Sequence, residues 1–272
     1  MSLDPDRDAL AARDLLIAAA REAGEGALAW FRPGRKTSAA VQAKEGGSPV
    51  TEADLAADAF LKRRLGAAFP DAGWLSEETA DTTARLGRRR LIVVDPIDGT
   101  RAFVDGDPRW TVSLALIVDG RPIAGVVHAP ALAETYSAAR GMGARLNGEA
   151  LALAARGERA GYRVAGPKPF LAAMAATLGA RLDIAPFVPS LAYRMCMAAS
   201  GALDFAVSRE NSHDWDIAAA DLVLEEAGGR LVEASGERLQ YNRERIRRDA
   251  LLGVADDLAP LLLEAFGLAA AA

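Results

Sequence analysis

The string DPIDGT at residues 95–100 combines a strand end, a tight turn and two carboxylates. It follows the apolar run at residues 91–94, which predicts a buried strand that ends at Asp95. Carboxylates at the end of a buried strand are costly unless they are paired, and no lysine or arginine follows this strand before Arg101. A divalent cation bound by Asp95 and Asp98 is the simplest counter-charge. The string therefore favours a fold that places a metal site at this strand end.

The same string predicts a place for an anion. Gly99 lets the backbone approach a ligand closely, and the amides of Gly99 and Thr100 would point at a phosphate if they begin a helix. The carbonyl of Ile97 lies between the two acids. An ordinary turn built on Asp and Gly is one alternative. A haloacid-dehalogenase-type nucleophile is another, but Asp95 and Asp98 are three residues apart, not two, and lie far from the N-terminus.

Further carboxylates occupy similar positions elsewhere in the chain. Glu77 and Glu78 follow a short apolar strand, and Asp54 lies three residues after Thr51 in capping-box spacing. Asp216 lies at the predicted start of the helix in SHDWDIAAADLVLEEAGG. Each has an ordinary structural interpretation, as surface charge, helix cap or dipole partner. Their joint occurrence in this order indicates a site.

Composition limits the chemistry of that site. The 272 residues include one cysteine and two histidines, so a zinc site of several His and Cys ligands is close to excluded. Oxygen ligands remain, which favour magnesium, calcium or manganese. The net charge of -5 and the short basic runs do not predict binding of a nucleic-acid polymer. No apolar segment is long enough for a membrane span, and no signal peptide is recognisable, so we expect a cytoplasmic protein.

The pattern of elements predicts two halves. Two helices, at residues 6–31 and from Thr51, precede a mainly antiparallel sheet with a turn at Asp119-Gly120. Strands and helices alternate in the second half. We predict an N-terminal α+β domain at 1–140, which carries most metal ligands, and a C-terminal α/β domain at 141–272, which supplies Asp216 and substrate contacts.

The strings DPIDGT and WDIAAADLVLEEAGG together resemble the inositol monophosphatase superfamily of lithium-sensitive, magnesium-dependent phosphatases. The resemblance covers roughly residues 8 to 255. It implies a layered αβαβα sandwich of the inositol monophosphatase and fructose-1,6-bisphosphatase type, which mixes α+β and α/β features. It also implies a homodimer and hydrolysis of a small phosphorylated molecule by direct attack of water.

The resemblance also implies roles for individual residues. Two or three Mg²⁺ ions are expected, with Mn²⁺ as a substitute. One ion would bind Glu77, Asp95 and the Ile97 carbonyl, a second would bind Asp95, Asp98 and Asp216, and a weaker third would lie near Glu77. The catalytic set is Asp54, Glu77 and Thr100, in which Thr100 and Asp54 activate water. The amides of Gly99 and Thr100 would hold the phosphate.

Among family members, the chain looks most like bacterial 3'(2'),5'-bisphosphate nucleotidases, which convert adenosine 3',5'-bisphosphate to AMP and phosphate. Inositol phosphatases carry a glutamate seven residues before the Asp that corresponds to Asp216, and this chain has Arg209 there. Arginine suits a second phosphate, and Lys44 would add positive charge. Inositol-1-monophosphatase and histidinol-phosphate phosphatase remain alternatives, and a non-catalytic metal- or nucleotide-binding regulator is a remote one.

Overall fold

The computed structural model describes residues 5–44, 46–154 and 160–270. Its helices are α1 (Pro5–Leu28), α2 (Glu52–Ala68), α3 (Thr100–Asp105), α4 (Lys168–Leu178), α5 (Leu191–Ala199), α6 (Asp214–Glu226) and α7 (Ala259–Ala270). Its strands are β1 (Val41–Ala43), β2 (Pro49–Thr51), β3 (Gly73–Ser76), β4 (Arg90–Asp98), β5 (Thr111–Val118), β6 (Arg121–Ala129), β7 (Glu134–Ala139), β8 (Ala144–Leu146), β9 (Glu149–Leu151), β10 (Gly161–Ala165), β11 (Arg181–Ile184), β12 (Phe205–Val207), β13 (Gly229–Val232) and β14 (Leu252–Ala255). Short 3₁₀ turns lie at Thr83–Gly87 and Pro130–Leu132.

The strands form two main sheets and a small hairpin in the described chain. The first sheet has seven strands in the order β3-β4-β5-β6-β7-β8-β9, and its pairs are antiparallel except β3 with β4. The second has five strands in the order β11-β10-β12-β14-β13, with parallel pairing on the β11-β10-β12 side. Strands β1 and β2 pair with each other. The expected mixture of α+β and α/β features is confirmed.

Helices fill the layers on both sides of these sheets. Along β4, Ile92 and Val94 pack into the cluster that contains α1 and α2, whereas Leu91 and Val93 face the cluster that contains α5 and α6. Successive side chains of a strand point to opposite faces, so this strand is apolar throughout because both faces are covered. Helices α4 and α7 pack on the second sheet. The layers of helices and sheets therefore form the predicted αβαβα sandwich.

Helix α6 lies unusually close to β6. A Cβ at Gly125 would be 2.8 Å from the carbonyl oxygen of Ala219, a distance that real Cβ atoms essentially never reach. Glycine on the strand and alanine on the helix therefore allow a close approach. This contact brings the first turn of α6 over the sheet and towards the end of β4.

Most of the predicted elements are confirmed, including the hairpin turn, where Asp119 and Gly120 have φ of 50° and 77°. The predicted end of the strand at Asp95 is wrong. Strand β4 continues to Asp98, which still pairs with Thr111, and the register is irregular between Asp95 and Asp98. Proline has no amide hydrogen, so Pro96 interrupts the ladder without ending the strand.

The N-terminal and C-terminal halves of the chain pack against each other in a common core. The seven-stranded sheet extends past residue 140, to Leu151, and one core cluster joins residues of both halves. The division into domains 1–140 and 141–272 stays a prediction. In the described parts of the chain, no helix combines the length and apolar character that a membrane crossing requires.

Candidate active site

Three carboxylates meet where β4 ends below the first turn of α6. Each of Asp95, Asp98 and Asp216 offers an oxygen, and these oxygens all lie within 4.8 Å of one another. Asp95 and Asp98 are buried, and Asp216 is partly exposed. Close approach of α6 to the sheet therefore joins an acid from the second half of the chain to two from the first.

Hydrogen bonds orient each of these carboxylates. Asp98 Oδ2 accepts bonds from Ser190 Oγ at 2.6 Å and from the amide of Ala192 at 2.7 Å. Asp216 Oδ2 accepts from the amide of His213 at 2.6 Å, and Asp95 Oδ1 accepts from the amide of Ile97 at 3.1 Å. Each acid therefore keeps oxygen lone pairs for another ligand.

The cluster is electrostatically costly. Burial raises the pKa of Asp95 and of Asp216 well above the usual value, and the neighbouring carboxylates raise both further. Burial also raises the pKa of Asp98 to about 6, although the bonds from Ser190 and Ala192 oppose it. Buried charges of one sign need a partner of the other. A set of carboxylate oxygens this close together suits a hard divalent cation such as Mg²⁺.

Asp54 and Thr100 form a hydrogen-bonded pair beside the cluster. Thr100 Oγ1 lies 3.1 Å from Asp54 Oδ1 and 3.0 Å from the carbonyl oxygen of Ile97. Asp54 Oδ2 accepts bonds from the amide and hydroxyl of Thr51, at 2.8 and 2.6 Å, which completes the predicted capping box of α2. The Thr100 hydroxyl has one proton for two acceptors, so it can bond to only one of them at a time.

Gly99 makes the turn between β4 and α3. Its φ is +90°, and a Cβ there would lie 3.2 Å from the amide nitrogen of Ser190. The left-handed conformation and the near contact together favour glycine. The turn places the amides of Gly99 and Thr100 next to the acidic residues of β4, at the start of α3.

Glu77 and Glu78 follow β3, which lies parallel to β4. The amide of Glu77 donates to the carbonyl of Val94 at 3.2 Å, and the charge of Glu77 contributes to the raised pKa of Asp95. Lys44 Nζ lies 2.8 Å from Glu77 and 2.7 Å from Glu78. Burial raises the pKa of Glu78 to about 7, against the attraction of Lys44. Burial also lowers the pKa of Lys44, but the two glutamates outweigh it, and the net shift is upward.

A cleft of about 550 Å³ adjoins Asp216, and Arg209 lines it. Lys168 and Glu210 also lie along it, and Phe187, at 71% exposure, stands at its edge. Arg209 is exposed, as the sequence leads one to expect for an arginine in a loop. The structure therefore brings Arg209 and Asp216 to one cleft. It pairs Lys44 with the carboxylates of Glu77 and Glu78.

Two residues beside the acidic cluster and its cleft were missed in the sequence. Ser190 caps α5 and also bonds Asp98, but its position before a helix indicates only the cap. Arg194 lies inside the apolar run LAYRMCMAA and is buried. A lone arginine in such a run was the available signal, since arginine is almost never buried without a partner.

Known proteins resemble this chain in sequence and in fold. The family whose sequence profile matches is described as the inositol monophosphatase family, and the match covers residues 12–267. The chain is 33% identical to inositol monophosphatase 2 of Solanum lycopersicum over 86% of this chain and 91% of that protein. It is 38% identical to the histidinol-phosphatase of Chlorobaculum parvum over 79% of this chain and 83% of that protein.

A relative with a third named activity is almost as similar. The 3'(2'),5'-bisphosphate nucleotidase CysQ of Aggregatibacter actinomycetemcomitans is 31% identical over 89% of this chain and 92% of that protein. Among solved structures, the extragenic suppressor protein suhB of Bartonella henselae superposes with a TM-score of 0.82 at 25% identity. That superposition covers 94% of this chain and 98% of the other.

Proposed function

The chain belongs to the inositol monophosphatase family and is a phosphomonoester hydrolase, and from this premise we propose that it is a magnesium-dependent 3'(2'),5'-bisphosphate nucleotidase. Its substrate would be adenosine 3',5'-bisphosphate, and its products AMP and phosphate. The observation that carries the magnesium-dependent hydrolysis is the cluster of Asp95, Asp98 and Asp216 beside the bonded pair of Thr100 and Asp54. The choice of substrate rests on the cleft beside Asp216.

The donor set fits magnesium. All candidate ligands are oxygens, and the three clustered acids carry raised pKa values that a bound cation would relieve. The residues that would hold two or three Mg²⁺ ions, or Mn²⁺ in their place, are Glu77, Asp95, Ile97 through its carbonyl, Asp98 and Asp216. When bound, such ions neutralise phosphate charge and lower the pKa of water.

Thr100 and Asp54 would prepare the attacking water. The Thr100 hydroxyl can accept a hydrogen bond from water while it donates to Asp54 Oδ1, 3.1 Å away. Asp54 is held by Thr51 and buried, so its position is well defined. Glu77 would complete the catalytic set at the edge of the cluster. Positioning of this kind supplies much of the rate in phosphoryl transfer, where no covalent intermediate is required.

The phosphate would be held by the amides of Gly99 and Thr100. Donors at this turn have no acceptor within the first turn of their own helix, so an anion can use them. Lys44 would add positive charge at the same edge, where its ammonium lies within 2.8 Å of Glu77 and 2.7 Å of Glu78.

The cleft beside Asp216 supports a bisphosphate substrate. Arg209 and Lys168 line it and suit a second phosphate, and the exposed ring of Phe187 offers a surface on which a nucleobase can stack. Histidinol phosphate is the second candidate. The Chlorobaculum relative favours it, and Glu210 in the same cleft suits an ammonium group. Inositol 1-phosphate is the third candidate, because the Solanum relative is named an inositol monophosphatase.

Phosphate release from these three substrates, with Mg²⁺ and then with EDTA, tests the proposal. We expect release that requires magnesium and is fastest with adenosine 3',5'-bisphosphate. Asp95→Asn should lose activity and keep the fold. Asp119→Asn removes an exposed carboxylate by the same change and serves as its control. Preference for another substrate would keep the chemistry and reject the nucleotidase, whereas full activity of Asp95→Asn would reject the mechanism.

Homodimer formation and lithium sensitivity stay predictions of the family resemblance, and the cytoplasmic location expected from the sequence pattern also stays a prediction. Absence of phosphate release from every substrate would favour an untested substrate or the non-catalytic regulator instead.

A further inference from the structure

Asp58 is a buried carboxylate on α2, about one helical turn beyond Asp54. Both of its oxygens accept hydrogen bonds from hydroxyl groups. Ser76 Oγ donates to Oδ1 at 2.5 Å, and Thr79 Oγ1 donates to Oδ2 at 2.8 Å. Hydrogen bonds from a hydroxyl to a carboxylate are charge-assisted and are about twice as strong as neutral ones. Asp58 therefore ties α2 to the end of β3 and to the segment that follows it.

The two residues that donate to Asp58 lie on either side of the glutamate pair. Glu77 and Glu78 occupy the bend between Ser76 and Thr79, directly after β3. The amide of Glu78 donates to Ser76 Oγ at 3.3 Å, so this hydroxyl links the bend to Asp58 a second time. One buried carboxylate thus fixes the bend at both ends. A bend that is fixed in this way leaves the Glu77 side chain fewer positions to occupy.

One face of α2 contacts two parts of the acidic site. Residues four apart on a helix lie on the same face. Asp54 bonds to Thr100 at 3.1 Å beside the cluster, whereas Asp58 bonds to the bend that carries Glu77. The helix therefore sets where Glu77 lies relative to the pair that would prepare the attacking water. Asp58 bonds to hydroxyl groups at the bend, so an effect on the site passes through them.

We propose that Asp58 is a positioning residue that holds the Glu77 carboxylate at the metal-binding edge of the site, through the hydroxyls of Ser76 and Thr79. The inference rests on the proposed magnesium-dependent function and deepens it. Hydrogen bonds that orient metal ligands set metal affinity, and their loss costs about 10- to 100-fold. Without Asp58 the bend samples more conformations, and binding of a cation has to order it. Asp58 thereby raises the affinity for the metal without contact to it.

Calorimetric titration with Mg²⁺ in the absence of substrate tests this role. The variant is Asp58→Asn, which keeps the size of the side chain and removes the charge to which both hydroxyls donate. We expect its Kd for Mg²⁺ to be about tenfold weaker than that of the wild type. At saturating Mg²⁺, kcat should fall less than about threefold, because excess metal orders the bend by mass action. Asp71→Asn removes an exposed carboxylate between α2 and β3, and as the matched control it should change neither value.

A second background separates positioning from a simple effect of charge. The double variant Ser76→Ala/Thr79→Val removes both hydroxyls and keeps Asp58. It should weaken the Kd for Mg²⁺ by a similar factor, and addition of Asp58→Asn should then weaken it less than about twofold further. A charge that attracts the cation from a distance would cost as much in this background as in the wild type. That result would overturn the inference, and so would an unchanged Kd in Asp58→Asn.

Thermal melting without metal shows whether each variant folds. A variant that melts earlier but keeps the wild-type Kd for Mg²⁺ would show a purely structural role and overturn the inference. If Asp58→Asn does not fold, Ser76→Ala/Thr79→Val is titrated in its place, with the same tenfold weakening expected. An unchanged Kd there would also overturn the inference.

Failure of the proposed function has a different signature. A wild type that binds Mg²⁺ but releases no phosphate from the three proposed substrates rejects the nucleotidase, and the Kd values of the variants still decide the role of Asp58. A wild type that releases phosphate and binds no Mg²⁺ overturns the inference together with the magnesium dependence, but keeps the phosphatase.

Discussion

Arg248 forms a buried ion pair with Asp214, which lies two residues before Asp216. The Nε and Nη2 atoms of Arg248 both lie 2.7 Å from Asp214 Oδ1, and the side chain of Asp214 is fully buried. Arg248 Nη2 also donates to the carbonyl of Gln240 at 2.6 Å, and its guanidinium lies 5.0 Å from the ring centre of Tyr241. Burial raises the pKa of Asp214 to about 6, against the attraction of Arg248. The pair joins the segment before β14 to the first turn of α6.

Arg248→Met should destabilise the protein, because it leaves the Asp214 charge buried and unpaired. Breaking a buried pair in this way costs about 3 kcal/mol or more. Urea unfolding at neutral pH measures the change. The double variant Asp214→Asn/Arg248→Met should recover part of the loss. Arg245→Met is the control, since its pair with Asp249 is exposed and should not matter measurably. Equal stability of Arg248→Met and wild type would contradict the prediction.

Lys44→Met should tighten Mg²⁺ binding in the absence of substrate. The ammonium competes with a metal ion for Glu77, to which it lies at 2.8 Å, so its removal leaves two glutamates without a counter-charge. We expect a fall in the metal Kd of about three- to tenfold. Calorimetric titration measures it. Lys62→Met, an exposed lysine of α2, is the matched control. Weaker metal binding in Lys44→Met would show that the lysine supports the site and does not compete for it.

Gly125→Ala should disturb the packing of α6 against β6. The new Cβ would lie 2.8 Å from the backbone oxygen of Ala219, which cannot move without its helix. Overpacking of this kind costs about 1 to 3 kcal/mol, and phosphatase activity should fall as well because α6 carries Asp216. Unfolding curves measure the loss of stability, and kcat measures the loss of phosphatase activity. Gly66→Ala in α2 is the control. It meets nothing within 4 Å, so added helix propensity should leave stability unchanged or slightly higher.

Stability should depend on pH through His128, which lies on β6 away from the acidic cluster. Burial lowers its pKa to about 4, although its bond to the carbonyl of Glu134 opposes the shift. The unfolded state, with a pKa near 6.5, therefore binds a proton that the folded state does not bind between pH 6.5 and 4. The contribution of His128 is full above that range and falls by about 3 kcal/mol as the pH drops through it.

The difference between the wild type and His128→Gln isolates this effect from the titration of the buried aspartates. Unfolding free energies at pH 7 and pH 4 should show the variant gaining stability relative to the wild type as the pH falls. A difference that does not change with pH would remove His128 as a source of acid sensitivity.

The sequence alone determined the local parts of the site. The spacing of Thr51 and Asp54 predicted a capping box, and the DPIDGT string predicted a turn with Gly99 in it, because these contacts form between residues a few positions apart. Periodicity likewise predicted most helices and strands. The end of β4 was misplaced because Asp98 keeps its strand pairing with Thr111, a contact that only the neighbouring strand supplies.

Only the tertiary structure decided which distant groups meet. Asp216 reaches Asp95 because Gly125 and Ala219 let α6 approach the sheet, Ser190 orients Asp98 across two elements, and Lys44 lies on Glu77 and Glu78. The burial of Arg194 follows from the packing of α5 between two sheets, and no local pattern encodes it. Such contacts depend on the path of the chain between them, and their energies arise from burial and charge in the assembled core.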